Sequence, residues 1–125
     1  MIGTLKDHFD NQLGLPPAAI DWLLDLWHTI QAFDDMHDGD TVADVMPALW
    51  GALVSMPGNP FYQMHAPALQ GAIATAILKW HAANEAEENG KADERSFMWR
   101  AAYYDVVLLV VLLCHGQAEA LRLAP

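Results

Sequence analysis

The stretch AFDDMHDGD, residues 32–40, holds four carboxylates and one histidine within nine positions. Asp34 and Asp38 are four residues apart, so on a helix their side chains lie one turn apart on the same face. Glu85 and Glu88 form a second pair of this kind. Converging carboxylate oxygens are the ligands that Mg²⁺ and Mn²⁺ prefer. The candidate metal ligands are therefore Asp34, Asp35, Asp38, Glu85 and Glu88.

A divalent cation at these carboxylates would activate water for attack on a phosphate ester or a diphosphate. Arg95 and Arg100 are the candidates for neutralising the phosphate. The sequence contains no G-x-S-x-G elbow, P-loop, Rossmann fingerprint or cysteine–histidine zinc pattern, and it presents no obvious nucleophile. The enzymatic interpretation is thus a Mg²⁺- or Mn²⁺-dependent phosphohydrolase or diphosphate-binding enzyme that uses metal-bound water.

The acidic stretch resembles motifs of two metal-dependent families. DDMHD, with Asp34, Asp35 and Asp38, resembles the D-D-x-x-D motif of class I isoprenoid synthases. Those enzymes hold a diphosphate through Mg²⁺ on an all-α scaffold, so the resemblance implies the same ligand roles here. The adjacent His37 and Asp38 resemble the paired residues of the HD phosphohydrolases.

A third resemblance is to the all-α nucleotide pyrophosphohydrolases, which bind Mg²⁺ with E-x-x-E on one helix and E-x-x-D on the next. Glu85 and Glu88 match the first motif and Asp105 matches the end of the second. Ala102 stands where the second motif has its glutamate. All three resemblances are partial, and together they assign no family.

Composition favours a different class of function. A chain of 125 residues fits a single helical domain, residues 1–125, and 54% of it is hydrophobic. That apolar excess favours a homo-oligomer, most simply a homodimer, with interface candidates that include Trp22 and Trp50. The leading interpretation is an interaction or assembly module that requires no cofactor. Only the enzymatic alternative requires Mg²⁺ or Mn²⁺. The sequence identifies no small-molecule ligand.

Charge and cysteine content restrict the partners. A net charge of −10 with six lysines and arginines argues against nucleic acid, and the same sign disfavours anionic membrane surfaces. The longest apolar run, 106–114, is too short to span a bilayer. The N-terminus does not resemble a signal peptide, and the single cysteine, Cys114, suits a reducing compartment. We therefore expect a cytoplasmic protein.

Hydrophobic periodicity places these residues on helices. Residues 4–14 predict a short amphipathic helix, and 15–40 predict a long helix that begins with prolines and stops at Gly39. Asp44 is the expected cap of the next helix, because a start there puts Pro47 in the first turn. Residues 57–65 are expected to be irregular.

Two further helices follow in the prediction. Pro67 is expected to open one that ends at Asn89–Gly90, and Asp93 is expected to cap an apolar helix that extends to Cys114. The predicted fold is all-α: a small up-down bundle of four main helices plus a short N-terminal helix, with the apolar C-terminal helix at its centre. This topology gathers ten acids at one end: Asp34, Asp35, Asp38, Asp40, Asp44, Glu85, Glu87, Glu88, Asp93 and Glu94. The alternative to a metal site there is a solvated acidic surface.

Asp105 is the one acid within the apolar stretch of the last predicted helix. An ionised carboxylate buried there requires a partner. At about 1.5 Å of helical rise per residue, His28 lies at nearly the same level along the predicted bundle as Asp105, and His81 is the second choice. The sequence therefore predicts a buried polar pair in which Asp105 accepts a hydrogen bond from His28 or His81.

Overall fold

The computed structural model describes residues 2–37, 39, 44–88 and 92–123, and the side chains of 5–37, 39, 44–85 and 102–123. Every regular element in these ranges is helical and none is a strand. The predicted all-α, helical-bundle class is confirmed. The elements are α1 (Ile2–Asp7), π1 (His8–Gln12), α2 (Pro17–His37), α3 (Met46–Trp50), π2 (Gly51–Ser55), α4 (Met56–Gly58), α5 (Pro60–Glu88), α6 (Ala92–His115) and α7 (Gln117–Leu123).

These elements form two compact units, residues 1–64 and 65–125. That the chain folds as a single domain stays a prediction. Within the described ranges, no helix combines the length and the hydropathy that crossing a bilayer demands.

The first unit is built around α2. Phe9 of π1 is fully buried, and Gly14 ends this segment with a φ of 58°, a conformation that glycine adopts readily. Along α2 the buried apolar positions recur at helical spacing: Ala19, Ile20, Trp22, Leu23 and Leu26. The Trp22 ring stacks on Tyr62 with centroids 6.0 Å apart. The predicted long helix is therefore present, with its apolar stripe forming the core of this unit.

The third helical region starts as the sequence predicts. The Asp44 Oδ1 atom accepts a hydrogen bond from the Met46 N–H at 2.9 Å, and Pro47 lies in the first turn of α3. Helical backbone then continues through π2 and α4 up to Asn59, where ψ changes to 131°.

The prediction that residues 57–65 are irregular is wrong, because Asn59 starts a new helix inside that stretch. Its Oδ1 atom accepts hydrogen bonds from the Phe61 and Tyr62 N–H groups, which lack helical partners in a first turn. Its amide nitrogen donates to the Ala18 carbonyl at 2.9 Å, which ties the cap to α2. Pro60 follows at the first helical position, where its missing N–H costs nothing.

α5 bends next to Pro67, the residue that was expected to open this helix. His65 has non-helical angles, with φ −122° and ψ 21°, and Pro67 lies two residues later. A proline in a helix interior removes a backbone hydrogen bond, so a local break upstream accommodates it. Pro67 thus lies near the start of the second part of α5 rather than at the start of the helix.

The second unit contains the rest of α5 with α6 and α7. Leu69, Ala76 and Ala83 are buried on α5 at seven-residue spacing. Among the α6 side chains that the structure describes, 102–115, the buried ones lie on one side: Ala102, Tyr103, Val106, Val107, Val110 and Val111. Gly116, with a φ of 88°, ends α6, and the short helix α7 packs back against it. The sequence-based prediction ends at Cys114 and does not include α7.

Candidate interaction surface

The predicted metal ligands are only partly within the described residues. Asp34 and Asp35 are half-buried on α2 in the first unit, and Glu85 is exposed on α5 in the second. Asp38 and the side chains of Glu88, Arg95 and Arg100 lie outside the described residues. Among the side chains that are described, no group of three or more acidic, histidine or cysteine residues could hold a metal ion. The metal site stays a prediction.

Glu85 has a partner on its own helix. The His81 Nε2 atom lies 3.0 Å from Glu85 Oε1, one turn away, and both side chains are largely exposed. An exposed pair of this spacing stabilises a helix by only about 0.3–0.5 kcal/mol. His81 therefore contacts Glu85, whereas the sequence predicts it as one of two partners of Asp105.

The prediction that Asp105 is buried is wrong, since its side chain is 61% exposed. Lys79 of α5 donates a hydrogen bond to its Oδ2 atom at 2.6 Å, so the partner is a lysine and not a histidine. His28, the other predicted partner, is exposed on α2 and interacts electrostatically with Asp25. Lys79 is the only lysine or arginine of α5, which is the sequence signal that could have identified this pair.

A cavity of about 220 Å³ lies beside the Lys79–Asp105 pair, between α5 and α6. Its remaining walls are small or apolar side chains, and the one hydroxyl, that of Thr75, donates to the Gly71 carbonyl within its own helix. A nucleophilic mechanism needs a nucleophile within reach of a general base. The Lys79 amine lies in an exposed ion pair with Asp105 and not in the desolvated, apolar setting that activates a lysine, so this cavity shows no activated nucleophile.

Cys114 is the single cysteine of the chain, and its side chain is half-buried on α6. Burial raises the pKa of its thiol above the ordinary value. Reactive cysteines have the opposite shift, because the thiolate is the attacking species. Cys114 is therefore a structural side chain at neutral pH.

An exposed apolar surface is formed by Val45 together with α3 and π2. Six large apolar side chains there are between 45% and 68% exposed: Val45, Met46, Leu49, Trp50, Leu53 and Val54. We call these six residues the 45–54 apolar face. Contiguous apolar patches of this kind on a small protein mark sites of interaction.

Small residues occupy the opposite side of the same segment. Ala48 and Gly51 are buried, and both α3 and π2 contact α2. A Cβ atom added to Gly51 would lie 3.1 Å from the Thr29 Oγ1 atom, so this position allows a close approach between helices. The segment therefore buries its small residues and exposes its large apolar ones, which reverses the arrangement expected of a core helix.

The π-helical turn keeps the exposed side chains together. Val45, Leu49 and Leu53 follow one another in steps of four residues, and Met46, Trp50 and Val54 do the same. A step of four exceeds the 3.6 residues of an α-helical turn, but a π-helical turn holds more residues. Because the segment passes from α3 into π2, both rows stay on one side of the helix.

Charge is absent from this region of the chain. The sequence has 22 charged residues, 6 basic and 16 acidic, and none of them lies between residues 45 and 78. Asp44 is the last charged residue before the face, and Lys79 is the first one after the uncharged stretch. The 45–54 apolar face therefore carries no charge of its own, although the chain is strongly acidic.

Of the two predicted interface candidates, only Trp50 is exposed, at 58%. Trp22 has no exposed surface, and the prediction that it belongs to an interface is wrong. Both tryptophans stand at apolar positions of predicted helices, so periodicity alone could not separate them.

Comparisons with protein-family models, with curated proteins and with solved structures found no match.

Proposed function

We propose that this protein is a small helical interaction module that assembles into a homo-oligomer through the 45–54 apolar face. The observation that carries the proposal is the reversed packing of α3 and π2, in which Ala48 and Gly51 are buried while Trp50 and its neighbours are exposed. A helix arranged in this way gains stability when a partner covers its outer side.

The size of the face supports a specific contact. At roughly 100 Å² of exposed surface per large side chain, the six residues provide on the order of 600 Å². A standard interface uses about 800 Å² on each partner. The face is thus large enough to form the apolar core of an interface, with polar surroundings completing it.

A homodimer is the simplest assembly, because a two-fold axis lets one patch cover its copy and leaves no open surface for further growth. Trp50 is the natural anchor, since tryptophan is enriched among the residues that dominate binding energy. No cofactor enters this function.

Trp50 and Leu53 both lie in the proposed contact. Replacing either residue with glutamine puts a polar group into this apolar contact, so we expect the dissociation constant of the dimer to rise, by about thirtyfold for Trp50→Gln. Leu53→Gln should act in the same direction but less strongly. The measurement is molar mass by light scattering and sedimentation across a hundredfold dilution.

Leu121→Gln is the matched control. Leu121 lies on α7 and is 67% exposed, against 68% for Leu53, so both substitutions change the same chemistry at equal exposure. The control should leave the dissociation constant unchanged. A wild-type protein that remains at 13.8 kDa across the whole dilution series contradicts the proposed function.

A further inference from the structure

The distribution of charge bears on what covers the 45–54 apolar face. Within residues 45–54 a basic partner would find no carboxylate and an acidic partner no lysine or arginine, and the nearest charge along the chain is the exposed Asp44. The face therefore selects a partner by apolar contact and not by charge complementarity. A second copy of the chain meets this requirement, because its own face is equally uncharged.

Two copies nevertheless repel each other through the rest of their surfaces. Each carries a net charge of −10, so the charges outside the uncharged stretch oppose association. The Debye length falls from about 30 Å at 0.01 M salt to about 3 Å at 1 M. Repulsion between touching copies is therefore extensive at low salt and largely screened at high salt.

We infer that ionic strength regulates the assembly: the 45–54 apolar face docks onto a second copy of this chain against like-charge repulsion, and salt or divalent cations tighten the contact. This inference rests on the proposed function. The described acids near the start of the first unit contribute to the repulsion without belonging to the face, and Asp7, Asp10 and Asp21 are all exposed.

The test measures the dissociation constant of the wild-type chain by sedimentation at several NaCl concentrations between 20 mM and 0.5 M. We expect the dimer to become roughly tenfold tighter or more over this range, since screening removes most of the repulsion. Binding between opposite charges would change in the other direction. The sign of the salt dependence therefore identifies the kind of contact.

A charge-reduced variant separates screening from the general strengthening of apolar contacts by salt. Asp7→Asn, Asp10→Asn and Asp21→Asn together change the net charge from −10 to −7. The product of the two charges in a dimer then falls from 10 × 10 to 7 × 7, about half. The triple variant should dimerise more tightly than wild type at 20 mM NaCl and respond less steeply to salt. Circular dichroism is the check that the variant remains folded.

The outcomes distinguish this inference from the proposed function. A dimer whose affinity is unchanged or weakened by salt, or a triple variant with the wild-type slope, overturns the inference and leaves self-association standing. A monomer at every salt concentration overturns both. A monomer that instead co-sediments with neutral phosphatidylcholine vesicles also overturns both, and assigns the face to a lipid surface.

Discussion

Single residues show how burial shapes the chemistry of this chain. Asp25 lies half-buried on α2, and its pKa is raised above the ordinary value of 3.8. Burial is the largest cause and the charge of Asp21 adds to it, whereas His28 acts in the opposite direction. The charged form of Asp25 therefore costs folding free energy.

The sign of the pH effect follows from this shift. A raised folded-state pKa means that the folded chain binds the proton more tightly, so stability is lost as pH rises from 3.8 through the raised value. Asp25→Asn removes the cost, and we expect a higher melting temperature than wild type at pH 8, where the Asp25 carboxyl of the wild type is ionised. At pH 3 the difference should disappear.

Asp7→Asn is the comparison for this experiment, because Asp7 is exposed on α1 and a surface substitution usually changes stability by less than about 0.5 kcal/mol. The readout is thermal unfolding followed by circular dichroism at both pH values. An Asp25→Asn variant that is destabilised at pH 8 would show that this carboxylate is stabilised by a contact in the folded state.

At the scale of elements, the close approach of π2 to α2 is the feature that places the 45–54 apolar face. Gly51→Ala adds a methyl group 3.1 Å from the Thr29 hydroxyl, which itself donates to Met56 Sδ at 3.9 Å. Alanine gains about 1 kcal/mol in helix propensity, whereas overpacking costs about 1–3 kcal/mol. We expect a net loss of about 1 kcal/mol of stability, measured by urea unfolding.

Two comparisons test the cause of that loss. Gly71→Ala in α5 meets nothing within 4 Å, so it should stabilise the protein by about 1 kcal/mol through helix propensity alone. In a Thr29→Ala background the crowding is relieved, and Gly51→Ala should become stabilising. If the loss persists without the Thr29 hydroxyl, the packing of π2 on α2 is set by other contacts.

At the scale of the whole molecule, the metal site predicted from the sequence is the alternative to the interaction surface. If Asp34, Asp35, Asp38, Glu85 and Glu88 bind Mg²⁺ or Mn²⁺, cation at one hundred times its dissociation constant should stabilise the fold by about 2.7 kcal/mol. The measurement is a thermal melt with EDTA and then with millimolar Mn²⁺. A melting temperature that changes with neither EDTA nor Mn²⁺ contradicts the metal prediction.

Two double variants distinguish metal binding at the predicted ligands from general screening of the negative charge. Asp34→Asn with Asp35→Asn removes two of the predicted ligands, whereas Asp7→Asn with Asp10→Asn removes the same charge outside the predicted set. A specific site loses its Mn²⁺ response in the first variant only. Equal responses in both would assign the effect to screening of the net charge of −10.

The sequence by itself determined the helical class, the positions of α2 and α3, the Asp44 hydrogen bond and the strong negative charge. These features depend on local signals: apolar spacing, prolines in first turns, and carboxylates before helices. The Asn59 cap is equally local, and its signal is an asparagine directly before Pro60, which the prediction of an irregular 57–65 segment misses.

Only the tertiary structure decided which side of each apolar helix is covered. Periodicity finds a buried stripe when polar residues mark the other side. α3 and π2 are apolar on both sides, so periodicity could not show that Ala48 and Gly51 form the buried side. The same reason explains Asp105. The apolar run around it predicts burial, whereas Asp105 lies beside the cavity between α5 and α6, is 61% exposed and accepts a hydrogen bond from Lys79.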